Sequence, residues 1–172
     1  MVQHGYAKEV RPAQALLQGG IAGLVATGPM SVFMLATKRF LPKRHRYALP
    51  PEIITEELAQ RLHVRWHLNK MQVEAATVVS HFGYGAAMGI LYGASAKNIL
   101  LPSPVKGVLF GLIVWAASYL GLLPMIGMSE SGQREPGKRN LMMIAAHVVW
   151  GVTLGLVAWF LSEKVSSVQV KR

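Results

Sequence analysis

The sequence contains no cysteine and no aspartate, and only 15% of its 172 residues are charged. Without cysteine, no disulfide framework, zinc–cysteine site or iron–sulfur cluster can form within one chain, and redox compartment has no signature. A soluble domain carries about 25% charged residues. Here the shortfall lies in long uncharged runs, 52% of residues are hydrophobic and mean hydropathy is positive. That combination places the chain in the membrane class. The 18 Lys and Arg against 8 Glu leave a formal charge of +10. The basic residues flank apolar runs, where they set topology and meet anionic headgroups. No nucleic-acid-binding pattern accompanies them, so nucleic acid is not expected as a partner. GxSxG, HExxH, Walker A and GxGxxG contexts are also missing, which disfavours an enzyme and assigns no catalytic residue.

What is present is apolar helix. Four stretches, about 14–37, 74–97, 105–128 and 140–161, read as transmembrane spans. The first is uncharged from Pro12 to Thr37, too long for a signal-peptide core, and is expected to be retained. Gly28-Pro29 predicts a kink there, with Thr27 or Ser31 re-satisfying the freed carbonyl. The following connection opens with Lys38, Arg39, Lys43, Arg44, His45 and Arg46. This knot, Lys38–Arg46, reads as an anchor at a helix end or an anionic-lipid site. Pro50-Pro51 then begins an amphipathic helix over about 51–67, acidic early at Glu52, Glu56 and Glu57 and basic late. Ile54, Leu58, Leu62 and Trp66 give it one apolar stripe, as for a helix lying on a membrane surface.

One pattern occurs twice: His81, Tyr84, Gly85, Gly89 and, 66 residues later, His147, Trp150, Gly151, Gly155. Upstream, Gly19-x-x-x-Gly23-Leu24 matches Gly107-x-x-x-Gly111-Leu112, 88 residues on. The expected fold is therefore all-α, a single polytopic four-helix membrane bundle built of two parallel helical-hairpin repeats plus the interfacial amphipathic helix. All eight glycines are expected at helix–helix contacts. Counting basic residues, the first and third loops hold eleven and the other side seven, so the first and third loops are expected in the cytoplasm.

An ionisable residue within a span is a functional-site hypothesis. His81 and His147 could be the axial ligands of a haem b or bind another metal; they could relay protons; or they could hydrogen-bond across helix interfaces. Because each His shares a helical face with its glycines, packing is the leading expectation, and two glycine faces set against each other would leave no slot for a macrocycle. Glu74 and Thr77, on the His81 face, could form a polar relay, although Glu74 also has Lys70 as a headgroup-level partner. His63-x-x-x-His67 has a metal-ligand spacing on a helix, without the Glu of the metalloprotease signature. Met125, Met128, Met142 and Met143 suit soft copper(I) or plain packing.

The Gly19-x-x-x-Gly23…Ser31 pattern and the two His-x-x-[Tyr/Trp]-Gly-x-x-x-Gly helices resemble the YagU-like small bacterial integral membrane proteins of unknown function. The resemblance spans most of residues 14–161. It implies a multi-pass inner-membrane protein, stress-related, and carries over no catalytic residue. The functional expectation is a non-enzymatic membrane protein, an accessory subunit or stress component, partnered by lipid, other membrane subunits or itself, with no cofactor. The alternatives are a haem or metal electron carrier using His81 and His147, and a small transporter or channel with a polar path near Gly28-Pro29, Glu74 and His81.

Overall fold

Helix α1 (Pro12–Lys38) runs unbroken through Pro29, and every other regular element is helical too. A computed structural model describes residues 12–96, 99–125, 127 and 136–170, with no strand among them. Helix α2 (Pro50–Arg61) begins on two prolines, whose missing N–H groups cost nothing at a helix start. Helix α3 (Lys70–Ser95) begins with a capping box. The Asn69 side chain accepts from Gln72 N at 2.9 Å, and the Gln72 side chain accepts from Asn69 N at 2.8 Å. Helix α4 (Ser103–Ala116) continues as a π-helical segment, Ala117–Leu122, and a turn at Leu123–Met125. Helix α5 spans Gly137–Val170. Residues 129–135 of the expected third loop, 129–139, and the basic residues Lys8, Arg11, Lys97, Lys171 and Arg172 lie outside the described residues, as does Met128.

The amphipathic helix is shorter than its expected 51–67. His63 takes φ +56°. Its N–H is donated to Gln60 O at 2.9 Å and that of Val64 to Ala59 O at 3.0 Å, the paired bonds of a Schellman cap. The apolar stripe is cut accordingly. Leu62 and Trp66 fall beyond the helix and are exposed, and the face that α2 packs inward carries Thr55 and Ala59. His63 and His67 therefore do not share a helical face: His67 belongs to a separate 3-10 turn, Arg65–His67.

Glycines set the helix pairing. Gly23 of α1 nests between Gly85 and Gly89 of α3, and a Cβ there would overlap the Gly85 carbonyl oxygen and stand 2.8 Å from Gly89 Cα. Gly107 of α4 nests between Gly151 and Gly155 of α5, where a Cβ would overlap the Gly151 carbonyl oxygen and stand 2.9 Å from Gly155 N. Backbones approach this closely only where no side chain intervenes. Gly19 lies a turn farther along α1, between Gly89 and Gly93, and Gly111 faces His147 and Gly151. These contacts put Gly107 in the place of Gly23, an offset of 84 (107 minus 23), not the 88 of the sequence match. The two paired faces also point at different neighbours instead of at each other.

Exposure runs opposite to a soluble protein. Outward positions carry Leu17, Val32 and Leu35 on α1, Val78, Val79 and Leu91 on α3, Ile113 on α4 and Leu141 on α5. Buried positions include Thr27, His147 and Arg139. Among the described residues three helical stretches, Pro12–Lys38, Ser103–Gly121 and Gly137–Lys164, are long and apolar enough to cross a membrane. The expected second span, 74–97, forms α3 but is not among them. Its hydropathy is diluted by Thr77, Ser80, His81, Tyr84 and the glycines that let it pack.

The first and third connections meet at one end of the bundle. Arg61 donates to Gly127 O at 2.7 Å and to Glu57 at 2.8 Å. The Arg139 guanidinium, fully buried, donates to the carbonyls of His45 (3.3 Å), Tyr47 (3.4 Å) and Ala48, and stacks 3.7 Å above the Tyr47 ring. At the opposite end Gln18 donates to Leu161 O at 3.2 Å and Lys106 to Ala96 O at 3.3 Å.

Candidate functional site: a histidine-lined cavity between the helices

Because each glycine face is spent within its own helix pair, the pairs do not close on one another along their whole length. A cavity of about 320 Å³ lies between them, at the small end of the range for ligand pockets. Thr27, Met30 and Met34 of α1 form one wall, Val114 of α4 with Ser118 and Tyr119 of the π-helical segment another, and Met143, His147 and Trp150 of α5 a third. Helix α3 supplies Ser80, His81, Tyr84, Gly85 and Met88, and α2 contributes Pro50, Pro51 and Ile54. The two histidines of the repeated pattern thus share one cavity.

Several polar side chains on the wall are hydrogen-bonded to the helices. His147 Nδ1 lies 2.8 Å from Met143 O. A carbonyl only accepts, so Nδ1 carries the proton and Nε2 keeps its lone pair. Ser31 donates its one hydroxyl proton to Thr27 O at 2.8 Å, and His81 Nδ1 stands 3.4 Å from the same Ser31 oxygen. A hydroxyl can donate or accept, so this contact is compatible with either His81 tautomer. Thr27 donates to Gly23 O at 2.9 Å, and the Trp150 indole N–H reaches both Gly23 O (3.2 Å) and Thr27 Oγ1 (3.3 Å). Ser80 donates to Thr77 O at 3.1 Å and meets Thr55 Oγ1 at 3.1 Å, which ties α2 to α3. Tyr84 OH and Ser118 Oγ bond each other at 2.8 Å.

The expected polar relay is divided. Glu74 is exposed and stands 3.7 Å from Lys70, and Thr77 bonds Val73 O at 2.9 Å; neither lines the cavity. A Cβ at Gly28 would meet nothing within 4 Å, and its neighbours Thr27 and Met30 line the cavity. Thr27 and Ser31 bond the carbonyls of Gly23 and Thr27, not the Val25 carbonyl whose donor Pro29 removes. Among the described residues no three His, Cys, Asp or Glu side chains cluster as a metal site. Met143 and Met30 stand on the cavity wall, whereas Met142 is buried and Met125 is exposed.

Sequence reasoning missed the sulfur-rich wall, Ser118 and the closing role of α2. Nothing in the periodicity marks them, because a cavity depends on where helices separate. Arg139 was also missed. A charge beside a polar turn reads as solvated, and its partners are backbone carbonyls that carry no residue signature.

Compared with known proteins, residues 30–156 match a family described as a protein of unknown function (DUF1440). No curated protein and no solved structure matches the chain.

Proposed function

The chain belongs to the DUF1440 family of proteins of unknown function, and we propose that it is a non-enzymatic integral membrane protein that holds a small, largely apolar molecule between its helices. The observation that carries this reading is the 320 Å³ cavity into which both His81 and His147 are built. Buried polar groups in a membrane protein are costly and tend to mark ligand paths, and two such groups on one apolar-walled cavity fit binding and orientation of a guest.

The proposed setting is a four-span bundle of two parallel hairpin repeats in the bacterial inner membrane. The outward apolar side chains of α3 support its crossing alongside the three more apolar helices. So does the meeting of the first and third connections at one end, which four crossings require. The equivalent nesting of Gly23 and Gly107 supports the repeats. On this reading α2 lies at the cytoplasmic interface beside Lys38–Arg46, which faces anionic headgroups, and the protein serves as an accessory or stress-related component.

Ligand occupancy is measured by quenching of Trp150 fluorescence with 4-bromotoluene in lipid nanodiscs, in a W66F/W115F/W159F background. Saturable quenching that Val114→Phe abolishes is the expected result. Quenching that only rises linearly, as for a probe dissolved in lipid, sinks the reading.

A second reading keeps some support. Metal-ligating histidines usually donate their other ring N–H to a carbonyl or polar group, as His147 does to Met143. A Soret band in protein purified from native membranes would favour a haem carrier over an organic guest.

A further inference from the structure

Several protons on the cavity wall are committed to the protein itself. Thr27 and Ser80 have given theirs to the carbonyls of Gly23 and Thr77, and the Trp150 N–H is spent on Gly23 and Thr27. Of the two hydroxyl protons at Tyr84 and Ser118, one joins them to each other. Acceptor capacity stays open beside them, above all the Nε2 lone pair of His147, to which nothing bonds among the described residues. His147 sets this most firmly, because its Nδ1 faces a carbonyl and its tautomer has no alternative while neutral.

We propose that the cavity selects apolar molecules bearing a hydroxyl donor, phenols and hydroquinones by class, over molecules of the same shape that can only accept a hydrogen bond. This inference rests on the ligand-holding reading above. A phenolic O–H meets a lone pair at the His147 imidazole. Its ring finds the walls of Met30, Met34, Met143 and Val114, and thioether sulfur packs favourably against aromatic rings. A methyl ether or a quinone carbonyl instead brings a lone pair to a lone pair and leaves Nε2 without a partner in an apolar cavity, which is costly. Specificity arises this way whenever a site holds buried polar groups that only one of two isosteres can satisfy.

The comparison needs only the full chain in lipid nanodiscs and two probes, 4-fluorophenol and 4-fluoroanisole. Binding is read from the fluorine line shape, with empty nanodiscs correcting for partition into lipid. The phenol is expected to bind about tenfold more tightly than the ether, the size of one net hydrogen bond. His147→Phe is expected to bring the two affinities together. Equal binding of both probes, or tighter binding of the ether, overturns the donor rule while leaving the ligand-holding reading intact. Saturable binding of neither probe removes that reading and the donor rule together. Since the ratio is measured on the unaltered cavity, the outcome does not depend on whether the His147 variant folds.

Discussion

Trp150 on α5 donates its indole N–H to the carbonyl of Gly23 on α1, a residue where α1 packs backbone to backbone on α3. One side chain therefore joins three helices. The same hydrogen bond binds α5 to α1 and covers a carbonyl that would otherwise face the apolar cavity. Trp150 also stacks on Phe110 at 6.3 Å, and Phe110 meets Tyr92 edge-on at 5.4 Å, which extends the junction through α4 to α3.

Trp150→Phe keeps the ring and removes the donor. The loss is expected at about 1–2 kcal/mol, the value of a buried hydrogen bond whose acceptors lose their partner. Equilibrium unfolding in detergent by a mild denaturant measures it. Thr27→Val, which removes one of the two acceptors, should cost less.

Gly23→Ala and Gly85→Ala are expected to differ in whether they can be rescued. A Cβ at Gly23 meets Gly85 O and Gly89 Cα, both backbone, so the helices must separate. A Cβ at Gly85 meets first the Thr27 hydroxyl. Overpacking costs about 1–3 kcal/mol. Adding Thr27→Ala should recover part of the Gly85→Ala loss and none of the Gly23→Ala loss. A thermal-shift series on the four variants decides it, and equal recovery would mean that the α1–α3 contact is softer than its geometry.

Arg139→Lys is expected to destabilise by about 2–4 kcal/mol despite keeping the charge, because an ammonium cannot bond three spread carbonyls and stack on Tyr47 as a planar guanidinium does. Residues 38–49 should become the first site of limited proteolysis in the variant. Unchanged cleavage there would contradict the bracing role.

A chain without cysteine has no labelling background, so single cysteines report topology directly. Lys43→Cys and Leu100→Cys should react from opposite sides of the membrane with an impermeant maleimide, Leu100 from outside. Labelling of both from one side would show that α3 does not cross.

The long apolar helices were legible because their periodicity and length are local properties, and α1, α4 and α5 fall where the spans 14–37, 105–128 and 140–161 were expected over their described residues. The glycine seams were legible in kind, since Gly19, Gly23, Gly107 and Gly111 all meet backbone. Their register was not. Ala15, Gly19, Gly23, Thr27 and Ser31 recur every four residues and can slide by a turn without altering the pattern, and at the observed offset Thr27 stands where Gly111 stands in the other pair. The end of α2 was missed because His63 in a left-handed conformation replaces the usual glycine signal. The joint placement of His81 and His147 in one cavity followed from each glycine face having its own partner, a fact of tertiary arrangement that no single helix encodes.

The two aromatics of the repeated pattern are fastened unequally. Trp150 is buried and bolted to backbone on α1, whereas Tyr84 is 41% exposed and holds only the hydroxyl of Ser118 on the π-helical segment. A hydroxyl pair at a surface exchanges readily with water or with a passing guest, and a π-helical turn lacks the tighter hydrogen-bond register of an α-helix. Of the seams around the cavity, the one between α3 and residues 117–122 is thus the least costly to part, which makes it the side of the bundle where solutes from the lipid would come and go.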